Sequence, residues 1–153
     1  IPQAIELRDL LAFNIAGKEN TCQVYKTFMD TYPKSLELDE AKKRYEILLF
    51  QSLTSAHTVQ GYTDFITQYP QSPYKMAAED SVYRLSTARQ SIKEYHVFVK
   101  QYPGNQNVQD AWRKIYALYT MDGKPETFAR FQKAYPDYPY LEHADSDLIF
   151  AKT

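Results

Sequence analysis

Three histidines, one cysteine and nineteen carboxylates are the side chains of this 153-residue chain that could carry catalysis or hold a metal. Their spacing argues against both. His57, His96 and His143 stand far apart, with none of the short separations that place two ligands on one metal. Each reads as a structural or surface residue, His57 near a helix start, His96 within an aromatic helix and His143 near the last helix. A nucleophilic pair of Cys22 with a histidine would need remote segments to meet, and no third group is placed to orient the base. Cys22 reads instead as a small, partly buried residue near a helix start. Glu37, Asp39 and Glu40 open a helix, where negative charge suits the dipole without any catalytic role. The four glycines form no phosphate-cradling loop. The sequence predicts no enzyme, no cofactor and no metal site.

The stronger signal is aromatic. Tyr25, Phe28 and Tyr32-Pro33 recur as Tyr62, Phe65, Tyr69-Pro70, as Tyr95, Phe98, Tyr102-Pro103, and as Phe128, Phe131, Tyr135-Pro136. Spacings of three and four put each set on one face of a helix that the proline ends. The Tyr-Pro pairs lie 37, 33 and 33 residues apart, the length of a tandem helix hairpin. Nine residues after each of these tyrosines stands an alanine, Ala41, Ala78, Ala111 or Ala144. Four further on comes a larger group, Tyr45, Val82, Ile115 or Leu148. Small residues let crossing helices approach while larger neighbours fill the grooves. Counting back 37 residues assigns Ala4 and Phe13 to an earlier copy.

The elements that follow from this pattern are helices near 3–16, 20–31, 37–54, 55–68, 74–86, 88–101, 107–120, 124–134 and 140–151. Gly17 is expected to break the first helix, and Asn20 or Thr21 to cap the second. Ser72-Pro73 reads as a serine cap with proline at the first helical position, and Asp122-Gly123 as a turn before Pro125. The predicted fold is all-α, a solenoid of about nine helices in a single domain over 1–153. Its approximate hairpins are 3–33, 37–70, 74–103 and 107–136, followed by a capping or truncated helix at 140–151. Tyr25, Phe28, Tyr62, Phe65, Tyr95, Phe98, Phe128 and Phe131 form the predicted repeat core with Ala41, Ala78, Ala111 and Ala144.

Eighteen basic and nineteen acidic residues give a net charge of −1, evenly spread, without the basic stripe of a nucleic-acid binder. Lys42-Lys43-Arg44 is interrupted by acids and reads as a solvated face. One cysteine permits no intrachain disulfide and leaves the redox compartment open. No run approaches the ~20 apolar residues that span a bilayer. A first residue of Ile1, with no methionine or signal peptide, suggests a processed or excised segment of a longer protein.

Over nearly its whole length the chain resembles the tetratricopeptide repeat superfamily. Aligning the family's late proline with Pro103 puts its second-helix aromatic on Tyr95, and on Tyr25, Tyr62 and Phe128 in the other copies. The small residue four earlier falls on Thr21, Thr58 and Ser91, but on Lys124 in the last copy. The late first-helix aromatic falls on Val82 and Ile115. The family's early tryptophan and Leu-Gly pair are absent, and phenylalanines 28, 65, 98 and 131 replace a small alanine. The phrase aromatic-x-x-Phe-x-x-x-Tyr-Pro-x-Ser, with Ser35 and Ser72, is similar to repeats of bacterial envelope proteins. These include the outer-membrane assembly lipoprotein, the Tol–Pal coordinator and repeat modules of Bacteroidetes.

The resemblance implies a right-handed α-α superhelix whose first helices build a concave face for an extended peptide or another protein. Carried over by position, that groove takes Asp80, Tyr83 and Arg84, then Gln109, Arg113 and Tyr116, and also Lys43 and Glu46. Tyrosine and arginine are common interface anchors, and arginines can grip a carboxylate with paired hydrogen bonds. Taken singly, each of these is equally an ordinary solvated residue. The implied function is a noncatalytic protein-binding or scaffold module of a bacterial cell envelope, periplasmic or outer-membrane associated. The alternatives are a spacer contacting adjacent domains of a parent protein, or a peptidoglycan- or carbohydrate-binding module that stacks sugars on tyrosines and Trp112. Trp112 reads first as packing between hairpins and only second as an exposed anchor.

Overall fold

A computed structural model describes residues 1–152. Among the described residues the secondary structure is entirely helical, in the order α1 (Pro2–Glu19), α2 (Cys22–Thr31), α3 (Leu38–Leu53), α4 (Val59–Gln68), α5 (Lys75–Ser86), α6 (Ile92–Gln101), α7 (Val108–Tyr119), α8 (Pro125–Ala134) and α9 (Leu141–Ala151). The chain divides into two compact units, Ile1–Ala78 and Glu79–Thr153. In the first, α1 packs on α2, α2 on α3 and α3 on α4; in the second, α6 packs on α7, α7 on α8 and α8 on α9. Consecutive packing of this kind is a helical repeat architecture.

Each second helix is built from the same parts. Tyr25, Phe28, Tyr62, Phe65, Tyr95, Phe98, Phe128 and Phe131 are all buried. Twelve residues before each pair, a late first-helix ring completes a triplet: Phe13, Phe50, Tyr83 or Tyr116. Its centroid lies 5.6 Å from Phe28, 5.0 Å from Phe65, 4.8 Å from Phe98 and 5.1 Å from Phe131, respectively. Tilted and edge-on aromatic contacts at these separations add to the burial of large rings. Ala41, Ala78, Ala111 and Ala144 are essentially inaccessible, so no larger side chain fits there without displacing a neighbour.

The hairpin turns repeat too. Asn20, His57, Gln90 and Gly123 occupy equivalent positions, and all four adopt left-handed backbone, with φ of 50°, 50°, 53° and 65°. The next residue then caps the second helix. Thr21, Thr58 and Ser91 accept hydrogen bonds from the backbone N–H of Val24, Gly61 and Glu94, and Glu94 closes a capping box. Lys124 cannot cap; Asp122 instead accepts from its backbone N–H and from the Thr127 hydroxyl. Beyond the Tyr-Pro pair, Ser35, Ser72 and Asn105 accept from the N–H two residues on and set the entry to the next hairpin.

Several expectations are corrected. α1 continues through Gly17 and ends at left-handed Asn20, because the packing of Ala12, Phe13 and Ala16 in the core beside α2 outweighs one glycine. Pro73 lies in the turn before α5, not in its first turn, since Ser72 closes on Tyr74 N–H. Ala4 is exposed, unlike its later counterparts. α1 has one packed face, with Ala16 and Phe13 against the core and Leu7, Leu11 and Ile15 66%, 62% and 51% exposed on the other side. Lys42 and Lys43 are exposed as expected, and Arg44, its side chain 43% exposed, is in addition tied to its neighbours. Its guanidinium donates to the Tyr25 hydroxyl at 3.2 Å and to Glu40 at 2.9 Å, and lies over the Phe13 ring.

Candidate functional site

The candidate surfaces lie on first helices, α3 in the first unit and α7 and α9, with the part of α5 from Glu79 on, in the second. An amphipathic first helix buries its alanine stripe and turns the opposite face outward, so polar groups three and four residues apart project together. In the second unit this places Tyr83 and Arg84 on α5 near Asp110 and Lys114 on α7, lining an open recess of about 300 Å³. In the first unit Lys42, Tyr45, Glu46 and Leu49 of α3 line another recess of about 380 Å³ with Tyr69 and Pro70. Glu46 therefore sits at a depression, whereas Lys43 is simply exposed and lines neither recess.

The predicted groove residues fall into two groups. Asp80, Tyr83 and Tyr116 have their polar atoms occupied within the protein. Asp80 accepts from Gln106 Nε2 at 2.9 Å and Asn107 Nδ2 at 2.8 Å. The Tyr83 hydroxyl donates to Asp110 at 2.6 Å, and the Tyr116 hydroxyl donates to Asp147. Each of these two bonds joins one first helix to the next. Burial raises both phenols above the ordinary tyrosine range, and the carboxylate partner raises them further by opposing a second negative charge. Arg84, Gln109 and Arg113 are exposed and make no hydrogen bond or ion pair among the described residues, so they remain available to a ligand.

Two features of this face were not read from the sequence. Lys114 and Asp110 line the recess although neither was assigned to the groove. A helical wheel could have offered them, since they lie four residues apart on one face of α7. The motif tyrosines also differ in how their hydroxyls are satisfied. Tyr25 Oη donates to Asn20 Oδ1 at 3.3 Å and accepts from Arg44, while Tyr62 Oη meets His57 Nδ1 at 3.0 Å. The ring of Tyr95 is buried, and the residue lines the open recess without a side-chain hydrogen bond of the kind that Tyr25 and Tyr62 make. Where the motif residue is Phe128, with no hydroxyl, the turn position is Gly123, with no side chain.

Trp112 is 6% exposed, against His96, Tyr135 and Tyr138, which makes it a packing residue and removes it as a sugar-stacking platform. His57 serves as a turn residue, and His143 lies beside Tyr140. Cys22 is a free, half-buried thiol at the first position of α2. Among the described residues no group of three or more His, Cys, Asp and Glu side chains is placed to hold a metal, and no helix is long and apolar enough to cross a membrane.

No protein-family model and no curated protein sequence matches this chain.

Proposed function

We propose that this chain is a noncatalytic protein-binding scaffold module whose partner, an extended peptide or a segment of another protein, lies along the first helices. One observation carries this reading: side chains of α5 and α7 share an open recess, and exposed Arg84 at it, like exposed Gln109 and Arg113 on α7, makes no hydrogen bond or ion pair among the described residues. A linear ligand can take repeated small recesses in turn, where a compact substrate would need one enclosed pocket. The tetratricopeptide-like identity, its right-handed winding and a place in a bacterial envelope, periplasmic or outer-membrane associated, belong to the same proposal. They rest on the sequence phrase alone.

The test is selection from a displayed peptide library, with binding to the chain compared against an Arg84→Ala, Arg113→Ala variant. Peptides of a common pattern that lose about tenfold or more in affinity on the variant support the reading. No enriched pattern, or equal binding to both, would count against it. A spacer role has one specific observation in its favour: the hydroxyls of Tyr83 and Tyr116, common anchor types, are spent on stiffening the array rather than displayed. Hinge-free behaviour with no selectable peptide would favour that second reading.

A further inference from the structure

We propose that the outer face of α1 is a dimer interface, on which α1 of a second copy of this chain packs antiparallel about Leu11. The corresponding face of α3 is already a helix contact. Ala41, Tyr45 and Leu48 pack there against the cluster of Tyr25 and Phe28 on α2, and Ala41 is inaccessible. The same positions 37 residues earlier are Ala4, Arg8 and Leu11, and all three stand exposed. Leu7, Leu11 and Ile15 fall four apart on one side of the helix, opposite the packed Phe13 and Ala16. With Leu10 and Leu36 they leave on the order of 500 Å² of apolar surface, the apolar share of a standard interface of ~800 Å² per partner. The second helices of another copy are enclosed by their own hairpins, whereas its α1 brings the same open face.

The face is complementary to itself. At its amino-terminal end Leu7 and Leu36 stand out, 66% and 78% exposed, at a recess of about 410 Å³ rimmed by Glu6 and Glu37. At its carboxy-terminal end lies a second recess of about 340 Å³, lined by Ala12, Ile15, Val24 and Phe28. A two-fold axis at Leu11 sets the projecting end of each copy against the hollow end of the other, the condition for an isologous contact. An unrelated partner would need to carry both shapes; a second copy carries them already. The charges agree. Lys18 and Glu6 are exposed and make no ion pair among the described residues. Along one helix they lie about 18 Å apart and cannot meet. Antiparallel pairing about Leu11 brings Lys18 of one copy over Ala4 of the other, beside Glu6. It also lays the negative end of each helix by the other's amino end, where no side chain caps the first turn.

The experiment is sedimentation of the 153-residue chain over about a hundredfold range of concentration, with amide resonances followed in parallel. The expected result is a monomer–dimer equilibrium in which dilution moves the resonances of Leu7, Leu11 and Ile15. Leu11→Asp should weaken dimerisation about a hundredfold or more, because it places two unpaired charges at the axis. Leu11 is 62% exposed in the single copy, so helical circular dichroism should not change. Met121→Ser, an 82% exposed apolar residue outside α1, should alter dimerisation less than about twofold. Lys18→Glu and Glu6→Lys should each weaken it about tenfold, since the symmetry counts every reversal twice. The double reversal should recover the original affinity within about threefold. A monomer at every concentration would overturn the interface, as would a dimer that tolerates Leu11→Asp. A dimer lost on Leu11→Asp but not recovered by the double reversal would overturn the antiparallel register.

Discussion

At the residue scale, the left-handed turn position makes the sharpest claim. Asn20, His57, Gln90 and Gly123 all hold positive φ, yet only one is glycine. Left-handed backbone costs a residue with a β-carbon roughly 1–2 kcal/mol, less for asparagine, whose short side chain bonds locally. Asn20 and His57 recover part of that cost through Tyr25 and Tyr62, whereas Gln90 has no such contact. Gln90→Gly is therefore expected to raise stability by about 0.5–1 kcal/mol, and Gly123→Ala to lower it by about 1 kcal/mol, both read from urea unfolding. A β-carbon on Gly123 would meet nothing within 4 Å, so a loss there would report backbone strain alone. An unchanged midpoint for Gly123→Ala would show that the turn can relax.

At the element scale, caps and aromatic triplets hold the short helices together. Ten-residue second helices such as α6 are too short to be stable alone, so both devices matter. Ser91→Ala removes the cap and breaks the reciprocal box with Glu94, and should cost about 1 kcal/mol by chemical denaturation. Phe98→Ala removes the ring that touches both Tyr83 and Tyr102 and should cost about 3–5 kcal/mol. Val97, its 46% exposed neighbour, should tolerate alanine within about 0.5 kcal/mol. Similar losses at 97 and 98 would mean that the aromatic face does not define the helix. Aromatic spacing, Tyr-Pro stops and the Thr21 cap were legible in the sequence, whereas Thr58 and Ser91 were read only as small residues. Gly17 and Pro73 misled, because helix ends depend on which backbone groups find partners, and the packing of α1 on α2 and the Ser72 turn decide that.

At the scale of the whole molecule, the tyrosines make the protein sensitive to alkali. Tyr83, Tyr95, Tyr116, Tyr135 and Tyr138 all titrate above the usual tyrosine value near 10, with burial the first cause in each. A folded-state value above the unfolded one means the stabilisation is complete below about pH 10 and is lost as pH climbs past it, because the unfolded chain releases its protons first. Tyrosinate absorbance should therefore rise together with loss of helical circular dichroism above about pH 10. Smooth titration of these phenols with the helices intact would refute that coupling. At the acid end Asp137, lowered chiefly by Lys100, contributes in the opposite sense: its stabilisation is present above the ordinary carboxylate value and fades as pH falls through the folded one.

The sequence alone determined the helices, their hairpin period and the identity of the buried rings and alanines. Those follow from local spacing and side-chain size, which the order of residues states directly. It also pointed to the first helices as the exposed face. Which polar groups on that face remain available was decided only by tertiary structure. Tyr83 and Tyr116 read as anchors until Asp110 and Asp147 meet their hydroxyls from the next first helix. Lys42-Lys43-Arg44 read as one solvated run, and only the structure shows Arg44 bonded to the Tyr25 hydroxyl while still partly exposed. Tyr25 and Tyr95 hold the same place in the repeat, yet the Tyr25 hydroxyl is bonded to Asn20 and Arg44 while Tyr95 lines an open recess. The physical reason is that a hydrogen bond depends on distance and direction between residues roughly 20–30 positions apart, and neither is fixed by spacing along the chain.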